Sequence, residues 1–406
     1  MCAANARQAV ELHDWLVRQR PAMTALLGDL VRLESPSLEP ERQMPVCERL
    51  RQAFETVGMR CRYLSGRTSG CQLLAMPTKA RKPRRWQLLL GHMDTVWPVG
   101  TLADNPFREE DGILRGPGVY DMKAGLVQML FALKVLGEKG LRPALTPVVF
   151  INSDEEIGSH DSTRQITRLA RGAERAFVLE PSLGREGRLK TRRKGVGRFE
   201  IAVRGRAAHA GLDPEQGVSA ILELSYVIQQ LFALNDASSG TTVNVGQVDG
   251  GIRSNVIAPL SRAVVDVRVR TQADAERVEA AIYSLRPRDP ACQIDISGRI
   301  GRLPLEPTPR NRQLTTAAQH VARDLGFELK EGEAGGGSDG NTTSLYTATL
   351  DGMGAVGDGA HALTSSFLLV EWPSARRFLR FYCCCKRESG KLRRRREKWA
   401  RHFIPR

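Results

Sequence analysis

The stretch Leu88-Leu89-Leu90-Gly91-His92-Met93-Asp94-Thr95-Val96 decides the fold. A short apolar run ends in a small residue, then presents an imidazole and a carboxylate two positions apart. Such a run reads as a strand buried on both faces. In an open α/β sheet, ligands gather just past the carboxyl ends of the strands. His92 is therefore a candidate metal ligand. Asp94 is the candidate carboxylate behind it, placed to accept the second imidazole N–H and fix the tautomer.

Working outward, residues 144–152 hold a second run of this kind, Val148-Val149-Phe150-Ile151, and residues 176–179 a third. Helical periodicity covers 7–33, 45–58 and 122–137. Strands alternating with helices predict an α/β domain of three layers with a largely parallel sheet. The pattern changes near Lys190. Residues 198–205, 241–248 and 262–270 alternate apolar with polar, and 218–234 and 273–285 read as helices. Half-buried antiparallel strands with helices on one face predict an inserted α+β domain. Helical periodicity resumes over 312–325. The expected division is a first catalytic part at 1–193, the insertion at 194–301, a second catalytic part at 302–380 and a disordered basic tail at 381–406.

The chain has 406 residues, 41% hydrophobic and 26% charged, the balance of a soluble globular protein. No apolar run approaches the ~18 residues that cross a bilayer. The first 19 residues mix His13, Asp14 and Arg18 into their apolar positions, which argues against a secretory signal. The formal charge of +15 is concentrated in one place: residues 376–406 hold 13 Lys or Arg and two acids. The other 375 residues carry 47 cations against 43 acids, so overall charge is no argument for nucleic-acid or membrane binding. The eight cysteines form no CxxC pair, and reduced thiols in a cytoplasmic protein are the simplest expectation.

Further candidates lie past apolar runs or in glycine-rich loops. Asp121 ends Arg115-Gly116-Pro117-Gly118-Val119-Tyr120-Asp121, Glu155 and Glu156 follow the second strand, Glu180 follows the third, and His361 closes Gly357-Asp358-Gly359-Ala360-His361. Zinc accepts imidazole nitrogen and carboxylate oxygen. Two ions about 3.5–4 Å apart need one bridging carboxylate and terminal ligands on each side. His92, Asp121, Glu156, Glu180 and His361 supply that count. Glu155 is left over beside a ligand, a natural base for a metal-held water. Cobalt or manganese would also fit such ligands. Taken singly, a His-x-Asp, a Glu-Glu or a Glu-Pro is more often a turn or a solvated face; the argument rests on their joint occurrence.

These segments resemble the co-catalytic zinc metallopeptidases that include glutamate carboxypeptidases, succinyl-diaminopimelate desuccinylases and acetylornithine deacetylases. The resemblance runs from about residue 15 to about 372 and is carried by 91–96, 116–123, 154–159 and 359–361. The spacing is most similar to the glutamate carboxypeptidase branch. The resemblance implies that Asp121 bridges two zinc ions, with His92 and Glu180 completing one site and Glu156 and His361 the other. It implies that Glu155 takes a proton from water and returns it to the leaving amine. The insertion would be a dimerisation domain. In it Arg206-Ala207-Ala208-His209-Ala210-Gly211 would send His209 to polarise the scissile carbonyl in the partner's site. Asn255 and Arg268 would hold the substrate's carboxylate or carbonyl, and Gly336 lies in the glycine-rich segment 335–339 expected near the substrate; together with Arg188 they suggest recognition of an acidic or C-terminal carboxylate.

The expected substrate is a small peptide or N-acyl amino acid losing a C-terminal acidic residue. Two alternatives stand beside it: N-acyl-amino-acid deacylation, and a non-enzymatic binding protein acting through its basic tail. The end of the chain departs from the resemblance. Ala362-Leu363-Thr364-Ser365-Ser366 lacks the glutamate usual after the last histidine, and Cys383-Cys384-Cys385 with Arg393-Arg394-Arg395-Arg396 interrupts the expected closing helix.

Overall fold

The computed structural model describes residues 3–80, 83, 85–324, 326–362 and 366–368. The expected closing strand, helix and basic tail beyond 368 lie outside these residues. The described residues form two compact units, those up to 191, those in 307–332 and those from 338 onward in one, and 192–306 with 333–337 in the other.

The first unit runs α1 Ala3–Arg18, α2 Arg20–Arg32, α3 Pro40–Thr56, β1 Met59–Ser65, β2 Cys71–Pro77, β3 Trp86–His92, α4 Thr101–Asp104, β4 Arg108–Glu110 and β5 Ile113–Arg115. It continues with α5 Ala124–Glu138, β6 Thr146–Asn152, α6 Thr163–Gly172, β7 Arg175–Val178 and β8 Leu189–Arg193, where the chain passes to the second unit. The helical pattern of 7–33 is broken at Gln19, because Pro21 opens a new helix and cannot continue the old one.

The main sheet has the order β1-β2-β6-β3-β7, closed by a last strand at Ala348–Leu350. β3 pairs parallel with β6 and β7, Leu88 opposite Val148 and Ala176. β1 and β2 join antiparallel at one edge. Alternation along the strands sorts the side chains into two layers. Leu89, Val149, Ile151 and Phe177 pack with α1, α2, α3 and α5 in the larger core. Leu88, Leu90, Phe150, Ala176 and Val178 pack on the other face with Ile166 and Ala170 of α6. α5 is apolar nearly all round and correspondingly buried, the central helix of its layer. This is the α/β three-layer arrangement expected, and it sets the carboxyl ends of β3, β6 and β7 side by side.

Two glycines fit this packing. A Cβ on Gly125, in the first turn of α5, would overlap the Leu179 carbonyl oxygen, and so would one on Gly354. The backbone leading into Glu180 is thus held between two residues that have no side chain.

The second unit contains β9 Gly195–Arg204, α7 Ala220–Phe232, β10 Thr242–Gly250, β11 Leu260–Val269, α8 Gln272–Tyr283 and β12 Gln293–Arg302. Its antiparallel sheet has the order β10-β11-β9-β12. Phe199, Ile201, Val203, Val265 and Val267 face a core closed by α7 and α8. This is the inserted α+β domain expected. The chain then returns through α9 Pro309–Asp324, β13 Glu331–Ala334, α10 Asp339–Ser344, β14 Ala348–Leu350, β15 Gly357–Asp358 and β16 Ser366–Leu368.

The expectation of reduced thiols throughout is corrected. Cys47 of α3 and Cys71 of β2, both buried, are joined as a disulfide with Cα atoms 6.4 Å apart. They are 24 residues apart and meet because α3 packs against β2, a tertiary contact that spacing does not announce. Cys61 and Cys292 are free thiols. Among the described residues no helix is long and apolar enough to cross a membrane.

Candidate metal centre

His92 ends β3, and its ring is almost wholly buried. Nδ1 lies 3.1 Å from the Asp94 carbonyl oxygen and 3.3 Å from its Oδ1. Both are acceptors, so in a neutral ring Nδ1 would carry the proton and leave the Nε2 lone pair free to face a cation on the other side. There Nε2 meets Asp121 Oδ1 at 3.3 Å and Glu180 Oε1 at 3.4 Å. Asp121 turns its second oxygen to another imidazole: His361 Nε2 lies 3.5 Å from Asp121 Oδ2 and 2.9 Å from Glu156 Oε2. The result is two groups of three donors, His92–Asp121–Glu180 and Asp121–Glu156–His361, sharing Asp121.

The spacing fits a metal. Two ligands at about 2.0–2.1 Å from a tetrahedral zinc ion stand about 3.3 Å apart, and these imidazole–carboxylate pairs span 2.9–3.5 Å. The electrostatics fit as well. Burial disfavours charge on His92, yet Asp121, Asp94 and Glu180 outweigh it and raise its pKa well above the ordinary value. His361 is pushed up to about 9, first by its bond to Glu156 and against burial. Burial also raises Glu156. Carboxylates crowded round imidazoles favour a cation, and a divalent ion supplies the charge that protons otherwise provide. The groups differ in access: the side chain of His92 is 1% exposed and that of His361 52%. His361 takes a positive φ of 62°, reached through Gly359 at 75°, a conformation uncommon for a side-chain-bearing residue.

Asp94 does more than support one ring. Its Oδ1 accepts the Glu155 N–H at 3.2 Å and its Oδ2 the Glu156 N–H at 3.1 Å. One buried carboxylate thereby ties the end of β3 to the short turn Glu155–Ile157. Its pKa is lowered: burial opposes this, and His92, Ser37 and the Glu156 N–H prevail.

Sequence reasoning did not find the residues that hold Asp94 and its neighbours. Ser37 Oγ donates to Asp94 Oδ2 at 2.7 Å. Gln43 Nε2 donates to the carbonyls of Pro36 and Ser153, stitching the Ser37 loop to the end of β6. Tyr120 Oη donates to the Ser182 carbonyl at 2.8 Å, linking the residue before Asp121 to the segment after Glu180. Lys123 is buried with its Nζ on the carbonyls of Leu30 and Leu33 at the end of α2, anchoring the other side of Asp121. Isolated polar side chains of this kind leave no periodic trace in a sequence.

The remaining candidates fall in several places. Arg188 is partly exposed, its Nε 3.7 Å from Glu186. Lys190 Nζ lies 3.9 Å from Glu180 Oε2, a cation beside the centre that the sequence reading passed over. In the second unit His209 is on a loop bridged to Val256, and the Asn255 carbonyl accepts the Ala210 N–H at 3.0 Å, so that His209 and Asn255 are neighbours. His209 is exposed, and its Nδ1 accepts N–H bonds from Gly211 and Leu212, both at 3.1 Å, which puts the proton of the neutral ring on Nε2. Arg268 makes a two-bond fork with Asp266 at 2.8 and 2.9 Å. The Gly336 carbonyl accepts from Arg193 at 3.1 Å.

Comparison with known proteins shows the family. Residues 88–380 match the profile of peptidase family M20/M25/M40. The chain is 30% identical over 282 residues to carboxypeptidase G2 of Pseudomonas sp. (strain RS-16), spanning 68% of this chain and 67% of that protein. It is 30% identical over 283 residues to an acetylornithine deacetylase of Myxococcus xanthus, spanning 66% and 72%. The crystal structure of aminopeptidase PepT from Bacillus cereus shares the fold, with a TM-score of 0.72 at 21% identity over 89% of this chain and 98% of that one.

Proposed function

The chain belongs to peptidase family M20/M25/M40 and is a metal-dependent peptidase or amidohydrolase; from that premise we propose that it is a di-zinc carboxypeptidase releasing a C-terminal acidic amino acid from a small peptide or N-acyl amino acid. The observation that carries the two-metal reading is Asp121, with one oxygen toward His92 and Glu180 and the other among Glu156 and His361. His92, Asp121 and Glu180 would hold one ion, and Asp121, Glu156 and His361 the other, with cobalt or manganese as chemically acceptable substitutes. Those residues would hold the metal pair, which would supply Lewis acidity for a carbonyl and would lower the pKa of a held water enough for it to give up a proton near neutrality. Glu155, on the same turn as Glu156, takes that proton and delivers it to the leaving nitrogen. Family membership sets aside the non-enzymatic alternative.

The carboxypeptidase reading is supported by the likeness to carboxypeptidase G2 and by the cation beside the centre, Lys190. Arg188, Asn255 and Arg268 are the proposed carboxylate contacts, with Arg268 oriented by Asp266, and Gly336 is the proposed glycine of the substrate loop. The likeness to acetylornithine deacetylase keeps N-acyl-amino-acid deacylation as the second reading. A screen of zinc-loaded protein with a chelator control separates them. Dipeptides and N-acyl amino acids ending in Glu or Asp should exceed their neutral counterparts by about 10–100-fold in kcat/KM, as a charge-assisted carboxylate contact implies. Preference for basic N-acyl amino acids such as acetylornithine would select the deacylase instead.

The proposed dimer rests on the edge of the second unit. β10 is an outer strand, largely exposed. Ile221 and Leu222 of α7, Val248 and Ile252 are exposed apolar residues, and a Cβ on Gly251 would meet Ile221, so strand end and helix face are contiguous. A strand edge of this kind pairs antiparallel with its own copy. His209, exposed and with Nδ1 occupied as an acceptor, is the proposed donor through Nε2–H to the partner's scissile carbonyl. Mixing Glu155→Gln with His209→Ala should restore part of the activity that each lacks alone. Two inactive parents that stay inactive after subunit exchange would refute action in trans.

A further inference from the structure

The glycine-rich segment Gly335-Gly336-Gly337-Ser338-Asp339-Gly340 includes an aspartate to which the roles above give no task. Asp339 is a carboxylate only 2% exposed, at the start of α10. Its Oδ1 accepts the Ser159 hydroxyl at 2.5 Å and its Oδ2 accepts Asn152 Nδ2 at 2.7 Å. Asn152 and Ser159 are themselves fully buried and stand on either side of Glu155 and Glu156. Taking a carboxylate out of water is costly, and the cost is offset only when its lone pairs are well used. Here they are used to join the two ends of one turn.

The turn needs such a join. Gly158 and Ser159 take positive φ of 99° and 55°, and Ser159 is a residue that disfavours this region. The loop closes on itself through Asp154, whose Oδ2 accepts the N–H groups of Asp161 and Ser162 and whose carbonyl accepts that of Ser159. Asn152 also donates to Ser162. Asp94 holds the Glu155–Glu156 backbone on one side through two N–H groups. Asp339 holds the same turn from another element, by its flanks. A turn carrying both a proton acceptor and a metal ligand must keep the two carboxylates in fixed relation, and groups standing behind a site commonly set this geometry.

We propose that Asp339 is a positioning residue that clamps the turn bearing Glu155 and Glu156 through Ser159 and Asn152. The proposal rests on the roles assigned above to those two glutamates. Asp339→Asn places an amide N–H₂ or a single acceptor where two donors converge, and Ser159→Ala removes one donor while keeping the carboxylate with Asn152. Both variants should lose about 10–100-fold in kcat or in affinity for one of the two metal equivalents, the range expected when a residue supporting a ligand is changed. KM should stay within about twofold, because neither residue is placed against substrate.

Readouts besides activity are metal titration and backbone hydrogen exchange of the metal-free protein. Exchange should accelerate over 153–162 and stay unchanged over β3 and α5. A Ser159→Ala protein with normal kcat, normal affinity for both metal equivalents and normal local exchange would overturn the proposal. So would faster exchange spread evenly over the whole unit, which marks a structural role alone. If Glu155→Gln proved fully active, the reading of the base would fail, while loss of one metal equivalent and local loosening in Ser159→Ala would still establish the clamp.

Discussion

Glu155→Gln should lower kcat by about 10²–10⁴-fold, the usual worth of a general acid–base, while the protein retains both metal equivalents. The substitution keeps the shape of the side chain and the backbone N–H that Asp94 Oδ1 accepts at 3.2 Å. It leaves Glu156, whose Oε2 lies 2.9 Å from His361, untouched. Only basicity is removed. The expected signature is therefore a fall in kcat with little change in KM and an unchanged zinc content by elemental analysis. Loss of metal together with activity would place Glu155 among the ligands. A variant retaining more than about a tenth of the wild-type kcat would exclude it as the base.

Asp121→Asn should abolish two-metal binding and, with it, turnover. Asp121 is shared by both groups of donors, so it is the residue whose loss affects both at once. An amide offers one oxygen and one N–H₂, and the N–H₂ cannot accept a cation or a donor on the side it faces. Proton release gives an independent measure. In the metal-free protein His361 is held at about 9 by Glu156, against burial, with Asp121 assisting. Because that value is raised, the ring is protonated at pH 7.5, and a metal must displace the proton. Zinc titrations of the wild type at pH 7.5 should release protons, seen as different heats in buffers of different ionisation enthalpy. Above about pH 9 the His361 share of that release should fade. Asp121→Asn should show neither two equivalents bound nor the full release. Normal stoichiometry in the variant would defeat the shared-carboxylate reading.

The strands that carry the centre were legible because they are buried on both faces. Leu88–Leu90 and Val148–Ile151 sit between two helical layers, so each reads as an unbroken apolar run whose end marks the sheet's edge. His92, Asp121, Glu156, Glu180 and His361 each follow such a run or a glycine-rich loop, and the fold gathers them round one carboxylate. Asp94 was visible as the acid beside His92, but its two bonds to the Glu155 and Glu156 N–H groups were not, since backbone donors have no letter in a sequence.

β1 is hard to read because it mixes Arg60 and Arg62 with apolar residues at a half-exposed edge, whereas β2 is a short, mostly buried run whose antiparallel pairing with β1 only the fold reveals. β12 has a similar mixed pattern, in which most of its residues are exposed or half-buried. The Cys47–Cys71 pair and the contacts of Ser37, Gln43, Tyr120 and Asp339 depend on residues up to 187 positions apart. Only tertiary packing brings them together.

The order of the candidate ligands along the chain also sets a timetable. Chains are made from the amino end, and their domains generally fold in that order. His92, Asp121 and Glu180 all precede the inserted unit, whereas the second group waits for His361, beyond it. The more enclosed group thus has every donor available when residue 180 emerges from the ribosome. The more open group must await the return of the chain after a whole unit has been synthesised. One shared carboxylate therefore joins an early half of the centre to a late one.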